Sequence, residues 1–176
     1  KNIDEIYVYS SSDEILSFLP KGVKWLKRPE ELDSDSTLGK DIYEAFINEI
    51  DADIYLLAHT TSPFIKAQTI ESSIDKIISG EYDSAFSAEK IQTFAWYNNK
   101  PLNYTLDNIP RTQTIEPVYI ETSAFFIFKK EIWTEHHQRI GFKPYKALID
   151  KIEGIDIDWP EDFEFAEKVL TIYDRN

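Results

Sequence analysis

The sequence predicts an α/β fold, a mostly parallel sheet with helices on both faces, and three observations carry that prediction. Between Glu5 and Ala88, apolar runs of strand length alternate with segments whose apolar residues recur at helical spacing, the pattern of βαβ units. Ile54–Ala58 (IYLLA) is a continuous apolar run preceded by acids, as expected of a central strand covered on both sides. Ile152–Leu170 (IEGIDIDWPEDFEFAEKVL) reads as a strand, a tight turn and a helix: Ile155 and Ile157 alternate with Asp156 and Asp158, and Pro160 opens a helix with Glu161 and Asp162 in its first turn.

Taken in order, Glu5–Ser10 is a first strand that ends in the polar turn Ser10–Asp13. Glu14–Leu19 is a short helix closed by Pro20 and Gly22, and Val23–Leu26 is a second short strand before Lys27-Arg28-Pro29. Asp33–Ser36 offers helix caps for a helix whose face carries Leu38, Ile42, Ala45, Phe46 and Ile50. After Ile54–Ala58 comes the loop His59–Phe64, then a helix marked by Ile70, Ile74, Ile77 and Ile78 and ended by Gly80. Ser84–Ala88 is the next strand. Phe94–Tyr97, the Asn98-Asn99 turn and Leu102–Thr105 read as a hairpin, Leu106–Tyr119 is looser, Ser123–Phe128 is a strand and Lys130–His137 a short helix. Ile155–Asp158 is the last strand, followed by a helix with Phe163, Ala166, Val169 and Leu170 as its buried stripe. No repeat or linker divides residues 1–176, which read as one domain.

Composition narrows the function classes. A net charge of −13 and a pI near 4.6 argue against nucleic acid or an acidic membrane surface as partner, either of which calls for a basic face. A small anion held by a few local cations and a metal remains compatible with that charge. Cysteine is absent, so thiolate chemistry and disulfides are out. No apolar run has the length of a membrane span and no signal peptide is legible, so a cytoplasmic location is expected. Methionine is absent as well, and the chain starts at Lys1-Asn2 just ahead of a strand, which suggests a fragment of a longer translated protein.

In open α/β sheets ligands bind beyond the carboxyl ends of the strands, which singles out Ser10–Ser12, His59–Ser62 and the Asp156/Asp158 pair. Side chains two apart in a strand share a face, and two carboxylates there suit Mg²⁺, which favours one or two carboxylates plus substrate phosphates. The plainer alternative is an edge strand with solvated aspartates. His59 is either a site residue or simply a polar loop residue. Arg28 and Arg111 have the fork geometry that matches carboxylate or phosphate, although most arginines are surface residues. Tyr119 and Trp96 are either core or stacking groups.

Five stretches together carry a resemblance: Arg28-Pro29, IYLLAHTTSPF (Ile54–Phe64), Asp83-Ser84, RTQTIEPVYIETSAFFIF (Arg111–Phe128) and IDIDWPEDFEFAE (Ile155–Glu167). In this order, over nearly the whole chain, they resemble the acylneuraminate cytidylyltransferases, the CMP-sialic acid synthetases and their relatives. The resemblance implies a Rossmann-like nucleotidyltransferase fold and a homodimer whose arm spans roughly residues 94–119. It also implies transfer of CMP from CTP to the anomeric hydroxyl of a nonulosonic or related sugar acid, with release of pyrophosphate and Mg²⁺ as cofactor.

Residue by residue, the resemblance makes Asp156 and Asp158 the metal-binding aspartates and Arg111 the arginine near the acidic sugar. His59 stands where many members carry a sugar-contacting glutamine. Ser10, Ser11, Arg28 and Ser62 fall to the nucleotide, and Tyr119, Glu121 and Thr122 to the sugar. Sialic acid enzymes typically read Y-x-E-N-G where this chain has Tyr119, Glu121, Thr122 and Ser123, which leaves the choice of sugar acid open. The family's glycine-rich triphosphate loop has no counterpart among the 5 glycines, and the chain by itself is expected to be inactive. Two alternatives stand beside the enzyme reading: a non-catalytic sugar- or nucleotide-binding relative, and a nucleotidyltransferase for another sugar or nucleotide.

Overall fold

The computed structural model describes residues 2–173. Its centre is Ala124–Phe128, five consecutive residues with no solvent exposure. A strand buried on both faces has apolar side chains at every position, so this run needs cover above and below. The run lies in β7 (Val118–Lys129), which pairs antiparallel with β3 (Ile54–Ala58) on one side and β4 (Ser84–Ile91) on the other. β8 (Pro144–Leu148) continues the sheet parallel to β4, giving the order β3-β7-β4-β8. β3, β4 and β8 thus share one direction and β7 runs against them.

Helices cover both faces, as expected. Ile74 and Ile77 of α2 (Ala67–Ile78) pack with Ala85, Phe125, Ile127 and Ala147. On the opposite face Ile47 of α1 (Gly39–Glu49) and Ile132 and Trp133 of α3 (Lys130–His136) pack with Tyr55 and Phe128. Full burial of a large apolar side chain is worth about 1.5–3 kcal/mol, so these two clusters are the main source of stability. A separate parallel ladder joins β1 (Ile6–Ser10) and β2 (Val23–Lys27). Among the described residues no strand pairing links it to the larger sheet, and it rests on α1 through the rings of Tyr7 and Tyr9 against Phe46. The expected hairpin turns around Asn98 and Asn99, both at positive φ as a tight hairpin turn requires, but its strands are only β5 (Trp96–Tyr97) and β6 (Lys100–Pro101), and the expected second strand Leu102–Thr105 is not formed.

Several expectations are corrected. Ile155–Asp158 forms no strand. Asp156 bonds its own neighbour, Ile157 N–H to Asp156 Oδ1 at 3.1 Å, and Ile157 N–H also reaches the Thr61 carbonyl at 2.9 Å, so the alternation there reflects a loop tied down locally rather than a ladder. The last strand is instead β8, an edge strand opened by Pro144, where a missing N–H is tolerated. β4 runs on to Ile91, and β7 begins at Val118, ahead of the expected Ser123. Glu14–Leu19 is a 3₁₀ turn over Asp13–Phe18. α4 (Pro160–Tyr173) buries Ala166, but Phe163 and Leu170 are exposed.

One irregularity positions the site. Phe86 of β4 lies opposite Phe126, yet Ala88 lies opposite Glu121, so two steps along β4 correspond to five along β7. Strand side chains alternate faces with a period of two, so an odd surplus of residues inverts which ones share a face. Beyond this bulge, Glu121 and Tyr119 therefore lie on the Phe126 face. Ser87, fully buried, stabilises the bulge: its Oγ accepts from Phe125 N–H at 3.2 Å and from Thr122 Oγ1 at 2.9 Å. Ser123 adopts φ +59, a left-handed conformation that costs a non-glycine residue about 1–2 kcal/mol.

Candidate functional site

The carboxyl end of β3 leads directly into the predicted loop. His59 N–H continues the ladder by donating to the Ala124 carbonyl at 3.0 Å, and the His59 carbonyl accepts from Ser62 N–H at 3.2 Å. That turn buries Ser62, only 3% exposed, and presents the Thr61 carbonyl to Ile157 N–H. The loops carrying His59 and Asp156 are thus joined by a backbone hydrogen bond, although they lie almost a hundred positions apart in sequence.

The second loop is fixed from the other side as well. Asp150 Oδ1 accepts from Ile152 N–H and Glu153 N–H, each at 2.9 Å. Glu153, 5% exposed, accepts from Lys66 N–H at 3.2 Å, Lys66 Nζ at 3.0 Å and Thr69 Oγ1 at 2.7 Å at the start of α2. Lys66 Nζ also reaches Asp150 Oδ2 at 2.8 Å, and that contact holds the Asp150 carboxyl below its ordinary range. Downstream, Asp158 N–H and Trp159 N–H both donate to Asp162 Oδ2, which caps α4.

His59 lies at the centre of a compact polar cluster. Its Nε2 is 3.5 Å from Tyr43 Oη, and its ring lies beside Phe126. Arg139, in the loop after α3, sits over Phe126 with its guanidinium carbon 3.8 Å from the ring centroid. It donates to Tyr43 Oη and to Glu121 Oε1, both at 3.1 Å. Burial pushes the His59 pKa down, the Arg139 charge adds to this, and Asp156 opposes it. Neutral imidazole is therefore the favoured form, between a cation and a carboxylate. Nothing local in HQRIGF marks Arg139 as a site residue, and its contact with Glu121 depends on the bulge.

The remaining predicted residues are distributed as follows. Thr122 bonds Ser87 inside the bulge, and Tyr119 lies under Lys146 Nζ at 5.1 Å. Ser10, Ser11 and Arg28 gather at the carboxyl end of the β1–β2 ladder. The Ser10 carbonyl accepts from Trp25 Nε1 and Arg28 N–H, and Arg28 pairs with Asp33 at 2.5 Å. Hydrogen bonds from Ser11 and Arg28 hold the Asp33 carboxyl below its ordinary range. Arg111 sits on an exposed turn, where its carbonyl accepts from Thr114 and Ile115 N–H, and no described contact joins its side chain to the His59 cluster. Asp158 is exposed.

Polar loops gathered at the carboxyl ends of the strands stand where open α/β sheets bind their ligands. The comparisons sharpen this. The family model described as "Cytidylyltransferase" matches residues 1–175, and the chain belongs to that family of nucleotidyltransferases. Among solved structures, CMP:2-keto-3-deoxy-manno-octonic acid synthetase complexed with CTP superimposes with a TM-score of 0.67 at 14% identity, covering 97% of this chain and 82% of that one. The 4-diphosphocytidyl-2C-methyl-D-erythritol synthase of Anaerococcus prevotii gives 0.69 at 15% identity, covering 96% and 82%. The 2-C-methyl-D-erythritol 4-phosphate cytidylyltransferase of Thermus thermophilus gives 0.56 at 12%, covering 97% and 84%. At these identities the likeness is one of fold. A search of curated protein sequences found no match.

Proposed function

We propose that this protein transfers CMP from CTP to a hydroxyl of an acidic sugar, a sialic acid or related nonulosonic acid, releasing pyrophosphate. In a chain of the cytidylyltransferase family, the observation that supports this best is the junction of the His59–Ser62 loop with the Asp156 loop through Thr61 and Ile157. In the reaction, the acceptor hydroxyl oxygen bonds to the α-phosphorus, the bond from that phosphorus to the bridging oxygen of the β-phosphate breaks, and the hydroxyl proton passes to solvent. Ser10, Ser11, Arg28 and Ser62 lie on the nucleotide side of this reading, and His59, Arg111, Tyr119, Glu121 and Thr122 on the acceptor side, although the Arg111 side chain makes no described contact with the His59 cluster. A neutral His59 can donate to or accept from a sugar hydroxyl.

The described residues hold no cluster of three or more His, Cys, Asp or Glu side chains suited to a metal. We assign Mg²⁺ to Asp156 and Asp158 by their carboxylate chemistry, two such ligands being enough where water and substrate phosphates complete the shell. When bound, Mg²⁺ would supply charge neutralisation on the phosphate oxygens. Trp96, Tyr97, Leu102, Leu106 and Ile109 of the 94–119 arm are exposed, and we assign them to a homodimer interface.

The test is pyrophosphate release by the full-length protein with CTP and a panel of sugar acids. Asp156→Asn and Asp158→Asn are expected to lower turnover on the order of a thousandfold, while their melting temperatures stay near wild type. Near-normal turnover in a folded variant would remove that aspartate from the site.

A further inference from the structure

We infer that Arg139 reads the acceptor: its guanidinium, laid on Phe126 beside His59, binds the carboxylate of the acidic sugar. The inference rests on the sugar-acid reading above and deepens it.

A chain with a net charge of −13 repels an acidic substrate at long range, so a local cation must hold it. Arg28 turns both Nε and Nη2 onto Asp33 at the end of the β1–β2 ladder, and no described contact joins the Arg111 side chain, on its exposed turn, to the cluster. Among the described residues, Arg139 is the arginine that the fold brings beside His59, the two sharing Tyr43 Oη and the ring of Phe126. Tyr43 and Glu121 use two of the guanidinium's five N–H donors, which leaves the others for an incoming carboxylate. The side chain is 34% exposed and that of Glu121 37%, so the pair stands at the surface, open to an added ligand.

The mounting also favours recognition. Stacking on Phe126 and bonds to two fixed partners hold the planar fork in one orientation, which reduces the entropy lost when a bidentate carboxylate binds. Phe126 is fully buried, and Tyr43 packs edge-on against Trp133. The Glu121 contact positions the guanidinium and balances its charge while the site is empty. A lysine, with a single point charge and no plane to stack, meets only part of this requirement.

The experiment compares full-length wild type, Arg139→Gln and Arg139→Lys. Pyrophosphate release is followed with 2-keto-3-deoxy-manno-octonic acid, N-acetylneuraminic acid, their methyl esters and 2-C-methyl-D-erythritol 4-phosphate as acceptors. Melts and direct NMR titration of each acid run in parallel. Arg139→Gln is expected to raise the KM for the preferred acid about tenfold or more, leave the KM for CTP within about threefold and abolish the preference for acid over ester. Arg139→Lys is expected to fall between the two. An unchanged KM for the acid would overturn the inference, as would equal losses for acid and ester or a wild-type preference for the phosphate acceptor. Absence of CTP-dependent pyrophosphate release with every acceptor would overturn the transferase reading instead. In that case acid binding that weakens in Arg139→Gln sustains the role of Arg139, and binding that is absent or insensitive to the substitution removes it.

Discussion

Two charged networks flank the Asp156 loop, and they differ in where their hydrogen-bonding capacity points. The Lys66–Asp150–Glu153 network points inward: Glu153 is buried, and its carboxylate accepts three bonds from the first turn of α2. The Arg139–Glu121–Tyr43 network is half-exposed, and among the described residues it engages two of the five guanidinium N–H groups, which leaves room for a further partner. A buried polar group with every partner in place fixes a conformation, whereas an open one can recognise something. The first network anchors the loop and the second presents a cation next to it.

That contrast can be broken most sharply at Glu153. Glu153→Ala leaves Lys66 N–H and Thr69 Oγ1 without their acceptor, and is expected to cost about 3 kcal/mol in denaturant-unfolding stability. Arg139→Gln and Glu121→Gln, at the half-exposed pair, are expected to cost about 1 kcal/mol or less in the same assay. Equal losses at both places would mean that the two networks are alike in kind. The finest test is the imidazole of His59, followed by NMR titration. Arg139→Gln should raise its pKa and Asp156→Asn should lower it, since the two charges act in opposite directions. Because folding depresses this pKa, its contribution to stability is present above the ordinary histidine value of about 6.5 and is lost as pH falls through the folded value. A His59 indifferent to both substitutions would separate it from its neighbours.

What the sequence disclosed follows from how local each signal was. The IYLLA run, the Ile74/Ile77 stripe and the Asn98-Asn99 turn each encode their conformation within a few residues, and all three are present. The D-x-D alternation misled because a period of two also arises in a loop whose aspartate bonds the next N–H. β8 went unread because Pro144 and Lys146 break the apolar pattern of an edge strand. His59 and Asp156 were legible as strand-end polar residues, whereas Arg139 was not, because its partners Tyr43, Glu121 and Phe126 come from α1 and two sides of a bulge.

The bulge between Phe86 and Ala88 has a consequence for how such a chain can diversify. It divides β7 into two registers: Ala124–Phe128, locked to both helical layers, and Val118–Glu121, whose facing depends on the length of the bulged segment. Removing one residue at Thr122 or Ser123 would turn Glu121 and Tyr119 to the opposite side of the sheet and leave every core contact of Phe125 to Phe128 in place. Length variation there, more than substitution, would exchange one set of acceptor-facing side chains for another, and the interior would not register the change.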